Sequence, residues 1–123
     1  MNERIITLDG TTLTSSEVVE VATNFCQVKI AEESMIRVQN ARSVVDRILN
    51  DGEVVYGINT GFGSLVNTQI SSEQLETLQL NLVRSHATGL GDLMSVEEVR
   101  AMMCVRINSL VKGNSGCQSD DIN

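Results

Sequence analysis

Apolar and polar residues alternate loosely along Ile5-Ile6-Thr7-Leu8-Asp9-Gly10-Thr11-Thr12-Leu13. An Asp-Gly pair inside such a pattern predicts a hairpin closed by a two-residue turn. The period then changes. Thr14 and Glu17 have the spacing of a capping box, and Val18, Val21, Ala22 and Phe25 follow at helical intervals, which predicts a short helix. Beyond Val28-Lys29-Ile30, the stretch from about Glu32 to Asn50 places Val38, Ala41, Val45 and Ile48 on one face, with Arg37, Asn40, Asp46 and Arg47 elsewhere. This is a first long helix, closed by Asp51-Gly52 as a C-terminal cap. Ser71 and Gln74 repeat the capping-box spacing ahead of Leu75, Leu78 and Leu82, predicting a second long helix that ends near Gly89. Ser95 and Glu98 repeat it again. Val99, Met103, Ile107 and Leu110 then continue one stripe to Lys112-Gly113, so a third long helix is predicted from Ser95 to Val111. The expected architecture is mainly α: a small N-terminal β element followed by about four helices, with a glycine-rich loop between the first and second long ones.

At 123 residues and 41% hydrophobic composition, the chain suits one modest globular core. No internal repeat, proline-rich linker or low-complexity tract divides it, so residues 1–123 read as a single segment. Its only aromatic residues are Phe25, Tyr56 and Phe62, so the core must be built from Val, Ile, Leu and Met. The formal net charge of −7 disfavours phosphate backbones and anionic lipid, both of which need clustered Lys and Arg. No apolar run approaches the roughly 20 residues of a bilayer span, and Met1-Asn2-Glu3-Arg4 does not lead into the apolar core of a signal peptide. A cytoplasmic location is therefore expected, with neither nucleic acid nor membrane as partner. Cys26, Cys104 and Cys117 are odd in number and widely spaced, which predicts reduced thiols. With His86 as the single histidine, no metal site is expected.

The loop between the first two long helices carries the candidate chemistry. It reads Tyr56-Gly57-Ile58-Asn59-Thr60-Gly61-Phe62-Gly63, with three glycines that permit close backbone approach and two large rings on a segment of little helical or strand propensity. One reading is a tight connection whose rings plug a core; the other is a site. The glycine spacing fits neither the dinucleotide fingerprint nor a P-loop, so a phosphate cradle has no support. Ser85-His86 is no nucleophile and base, because neighbours on a helix point roughly 100° apart. A lone helical histidine is by default a core or surface residue, and His86 gains meaning only from its company.

That company has a pattern. Tyr56 to Gly63, then Leu78-Gln79-Leu80-Asn81-Leu82-Val83-Arg84-Ser85-His86-Ala87-Thr88-Gly89, then Arg106-Ile107-Asn108-Ser109-Leu110-Val111-Lys112-Gly113 resemble, in letters, order and spacing, the N-terminal region of the aromatic amino acid ammonia-lyases. The resemblance runs from about Ile5 to Gly116 and implies the N-terminal portion of the helical ammonia-lyase fold. It implies an enzyme that eliminates ammonia from an amino acid, using an electrophilic methylidene-imidazolone made from an internal Ala-Ser-Gly. Tyr56 matches the catalytic tyrosine, whose phenolate removes a β-proton; a free phenol ionises near 10, so such a site must favour the anion. His86 matches the substrate-selecting position. Ser85-His86 resembles the histidine-specific members, which convert L-histidine to urocanate, whereas tyrosine and phenylalanine lyases usually carry an apolar residue after a first ring. A neutral imidazole at this position hydrogen-bonds the substrate's imidazole, one ring donating where the other accepts. Thr60 and Gly63 are expected as backbone that shapes the pocket.

The chain also departs from that pattern. No Ala-Ser-Gly occurs in it; Asn114-Ser115-Gly116 is the nearest approach and matches the segment preceding the cyclising tripeptide. Residues 117–123 read as a divergent tail. Without its electrophile this piece alone is expected to be inactive, and helices deprived of their bundle partners are expected to self-associate. Three readings thus stand: the N-terminal part of a histidine-specific lyase acting within a homo-oligomer, a non-catalytic module that binds itself or an intact lyase, and an aminomutase of the same family.

Overall fold

The computed structural model describes residues 4–61, 68 and 70–122. Its elements run β1 (Ile5–Leu8), α1 (Ser15–Thr23), β2 (Gln27–Ile30), α2 (Glu32–Asp51), α3 (Ser72–His86), α4 (Val96–Leu110) and a 3-10 turn at Ser119–Asp121. The architecture is mainly helical with a small N-terminal sheet. The chain forms two compact units, residues 1–44 with 93–123, and residues 45–92.

In the first unit, β1 and β2 pair in parallel, Ile5 opposite Gln27 through Leu8 opposite Ile30. The expected Asp-Gly hairpin is not what forms. The Asp9 carboxylate instead accepts the Thr11 N–H at 2.7 Å, the Thr12 N–H at 2.8 Å and the Thr12 hydroxyl at 2.7 Å. This bends the chain away from β1 and into α1, so the strand's partner arrives only after the helix, as a parallel pair requires.

Helix α1 starts where the sequence predicts. Thr14 accepts the Glu17 N–H while the Glu17 carboxylate accepts the Thr14 N–H at 2.9 Å. The helix stops at Thr23, earlier than the apolar stripe suggests. Phe25 adopts a left-handed φ of 54° and is 57% exposed, its ring lying 4.6 Å from the Arg100 guanidinium. Arg100 is fixed in turn by donating from Nε to the Val21 carbonyl at 2.9 Å. The left-handed residue turns the chain so that Cys26 enters the core.

That core consists of Ile6 and Leu8 from β1, Val21 from α1, Cys26, Val38 from α2, Cys104 from α4, Val111 and Ile122. Helix α4 packs on α1 and begins in a second complete capping box, Ser95 with Glu98. Burial pushes the Cys104 thiol above its ordinary range.

Three surface carboxylates are held below the usual range by hydrogen bonds to their ionised forms: Asp9 by the Thr11 and Thr12 N–H groups, Glu17 by the Thr14 N–H, and Glu98 by the Ser95 N–H. A carboxylate whose folded pKa is depressed adds stability that is complete above its ordinary pKa, near 4, and is lost as pH falls through the folded value. The melting temperature is therefore expected to drop progressively below about pH 4. A triple variant, Asp9→Asn with Glu17→Gln and Glu98→Gln, should show a shallower acid slope by circular dichroism; an unaltered slope would contradict the assignment.

In the second unit, the end of α2 is followed directly by Gly52 in a left-handed conformation, φ 71°, as its predicted capping role requires. The predicted stripe of α3, Leu75, Leu78 and Leu82, is half-buried. Two local expectations change here. Ser71 takes the N-cap position, yet its side chain makes no capping hydrogen bond, and the helix ends at His86 rather than near Gly89.

Candidate active site

Tyr56, Thr60 and His86 all belong to the unit formed by residues 45–92. Gly63, expected to shape the pocket, and Phe62 lie outside the described residues.

Tyr56 opens a tight turn. The Val55 carbonyl accepts the Ile58 N–H at 3.1 Å and the Asn59 N–H at 3.3 Å, and Gly57 supplies the left-handed φ of 79° that the reversal needs. The ring is held outward, 62% exposed, so Tyr56 does not plug a core. Thr60 is turned inward, 2% exposed, with its hydroxyl donating to the Gly61 carbonyl at 3.0 Å. Beyond it, the Gly61 N–H donates to the Thr68 carbonyl at 3.1 Å, and the Ile70 N–H to the Asn59 carbonyl at 2.9 Å. The two limbs of the loop are thus joined by backbone.

Asn59 was not among the residues singled out by sequence. It is 3% exposed, with Oδ1 accepting the Val55 N–H at 2.9 Å and Nδ2 donating to the Glu53 carbonyl at 2.6 Å. A turn asparagine and a buried, doubly bonded one have the same letter, so only its position three residues after Tyr56 hints at the role. An open groove of about 460 Å3 runs beside it, bordered also by Leu49, Ile70, Leu75 and Glu76. Tyr56 and His86 do not border that groove.

His86 ends α3 and is exposed. Its Nδ1 lies 2.8 Å from the Leu82 carbonyl oxygen, one helical turn back. A carbonyl only accepts, so in the neutral ring Nδ1 carries the proton and Nε2 presents a lone pair. The Ser85 hydroxyl also donates to the Leu82 carbonyl, at 2.9 Å, and its oxygen stands 3.1 Å from Nδ1. The two side chains thus come within hydrogen-bond distance of each other, contrary to the expectation from helical neighbours, because both turn back to the Leu82 carbonyl.

Among the described residues, no three or more His, Cys, Asp or Glu side chains gather to hold a metal ion, and no helix is long and apolar enough to cross a membrane. In the segment 114–116 the Ser115 hydroxyl donates to Cys117 Sγ at 3.8 Å.

Comparison with known proteins agrees with this architecture. Histidine ammonia-lyase of Streptococcus pyogenes is 45% identical over 119 residues, covering 97% of this chain, and that of Streptococcus gordonii is 48% identical over 112 residues, covering 91%. The chain spans less than a quarter of these curated relatives, 23% and 22% of their lengths. Among solved structures, histidine ammonia-lyase from Trypanosoma cruzi superposes with a TM-score of 0.90 at 40% identity, over 97% of this chain and 23% of that one. Ergothionase from Treponema denticola gives 0.91 at 30% identity, over 97% of this chain and 24% of its own. Tyrosine aminomutase from Streptomyces globisporus gives 0.90 at 34% identity, with 97% and 23% covered. The aromatic amino acid lyase family profile matches residues 13–123, and the chain belongs to that family.

Proposed function

We propose that this chain supplies the proton-abstracting and substrate-selecting groups of an enzyme that eliminates ammonia from L-histidine. The structural neighbours include a lyase, an ergothionase and an aminomutase, so the fold alone does not choose the reaction. The observation that favours a substrate ring with a donor, and so histidine over phenylalanine, is the 2.8 Å approach of His86 Nδ1 to the Leu82 carbonyl. With Nδ1 bonded to the Leu82 carbonyl, Nε2 is an acceptor, and it suits a substrate ring that brings its own N–H. Phenylalanine has no such donor, whereas histidine's neutral imidazole has one. The Ser85-His86 pair of the histidine-specific members supports the same reading.

Tyr56 is the base in this reading. Its phenolate oxygen takes the proton from the substrate's β-carbon, the C–H electron pair becomes the Cα–Cβ double bond, and the amine departs from Cα as ammonia. The exposed setting of the ring, on a turn buttressed from beneath, supports this reading because it leaves the phenol open to approach. In this family the amine is made a leaving group by a methylidene-imidazolone formed from Ala-Ser-Gly. This chain contains no such tripeptide, and on that basis it is inactive by itself, its residues acting with the rest of a lyase and within a homo-oligomer.

The test is a chimera in which this chain replaces the matching stretch of the Streptococcus pyogenes enzyme. Urocanate formation from L-histidine is expected. In that chimera His86→Leu should lower kcat/KM for L-histidine by about 10- to 100-fold, the size of one lost hydrogen bond at a polar site, and should improve phenylalanine relative to it. Unchanged preference for histidine would remove His86 from the selecting role.

A further inference from the structure

The Asn59 side chain bridges the backbone just ahead of the turn that carries Tyr56, and we infer that Asn59 is the positioning residue for Tyr56, its carboxamide setting where the phenol stands relative to the substrate. This rests on the proposed role of Tyr56 as base.

Four hydrogen bonds converge on Asn59. The side-chain amide takes the Val55 N–H on Oδ1 and gives a proton from Nδ2 to the Glu53 carbonyl, both groups lying just before Tyr56. The backbone N–H donates to the Val55 carbonyl, and the backbone carbonyl receives the Ile70 N–H from the far limb of the loop. Tyr56, Gly57 and Ile58 are therefore enclosed between Val55 and Asn59, with the amide bridging their base. An N–H must find an acceptor and a carbonyl a donor, so the side-chain orientation is fixed by its two partners. At 3% exposure, water does not substitute for either bond.

A carboxamide is specific for this task because it offers one acceptor and one donor at the same reach. Asn59→Asp keeps the acceptor for Val55 but sets a carboxylate oxygen against the Glu53 carbonyl. Asn59→Ser keeps a smaller group able to accept from Val55. Misplacing a reacting group by about an ångström costs rates on the order of a hundredfold while leaving substrate binding largely intact.

The experiment is a double-mutant cycle in the chimera. Asn59→Asp is expected to lower kcat about 100-fold with KM within about twofold, and Asn59→Ser to give the same split at smaller size. In the Tyr56→Phe background, neither substitution should lower the residual rate further, because the group being positioned is gone. An equal loss of kcat in both backgrounds would show that Asn59 merely supports the fold, and an unchanged kcat in Asn59→Asp would likewise overturn the inference. If Tyr56→Phe itself leaves kcat intact, the failure belongs to the proposed function instead. Amide exchange in the unsubstituted 123-residue chain provides a readout free of any folding defect in the variants: the Val55 N–H should be protected about 100-fold or more over a free peptide, and exchange at the unprotected rate would overturn the inference.

Discussion

Tyr56→Phe is expected to lower the turnover of the assembled enzyme by about a thousandfold, the middle of the range for a positioned general base. The loss should fall on kcat, because in the proposed role the phenol acts on the β-proton during reaction, and KM for L-histidine should change little. The fold should survive. Tyr56 is 62% exposed, and substitution at such a site typically alters stability by less than about 0.5 kcal/mol. The 123-residue chain has one tyrosine and no tryptophan, so in that chain by itself absorbance near the phenolate band reports the ionisation of Tyr56 alone. Retained turnover in Tyr56→Phe, with urocanate still formed at the parent rate, would end the proposal that this residue is the base.

The largest expected effect on stability lies in the other unit. Leu8 is fully buried at 0% exposure, and its carbonyl also accepts the Ala31 N–H at 2.9 Å, joining the end of β1 to the start of α2. Leu8→Ala should cost about 3 kcal/mol through lost burial and the cavity left behind. Domains of this size are stable by only about 5–15 kcal/mol, so the denaturation midpoint should move far. Ile5, on the same strand but 52% exposed, provides the control: Ile5→Ala should cost less than about 1 kcal/mol. Equal shifts in the two variants would mean that β1 is not seated in the core as described.

Much of this architecture can be read from the letters, for identifiable reasons. Thr14 with Glu17 and Ser95 with Glu98 close their boxes as their spacing predicts, each using a carboxylate that accepts a backbone N–H. Ser71 with Gln74 has the same spacing, but the neutral amide lacks a carboxylate's charge-assisted pull, and Ser71 caps by backbone position only. The stripes of α2 and α3 were legible because each covers one side of a long helix. The pairing of β1 was not. Asp9-Gly10 has the letters of a hairpin turn, yet the outcome depended on Asp9 capturing Thr11 and Thr12, and on Gln27–Ile30, three of whose four residues are exposed and show no clean alternation. Phe25 misled in the same way. Its spacing from Val18 and Val21 suggests a core position, but the helix ends first and the ring stacks against Arg100 at the surface.

At the candidate site, Tyr56 and His86 stood out because their motifs are distinctive, and the structure adds what a motif omits: the hydrogen-bond partner of the imidazole and the frame beneath the phenol. Asn59 stayed hidden because its importance lies in burial and in two bonds to backbone, neither of which a single letter records.

The parallel ladder between β1 and β2 also dictates an order of events. A hairpin nucleates from its own turn within microseconds, but here the first rung waits until the chain has looped around α1 and returned. Loop-closure entropy must be met before any ladder bond compensates it. The ladder should therefore gain protection only after α1 has formed, yet before α1 and α4 pack together, because that contact closes a much longer stretch of chain.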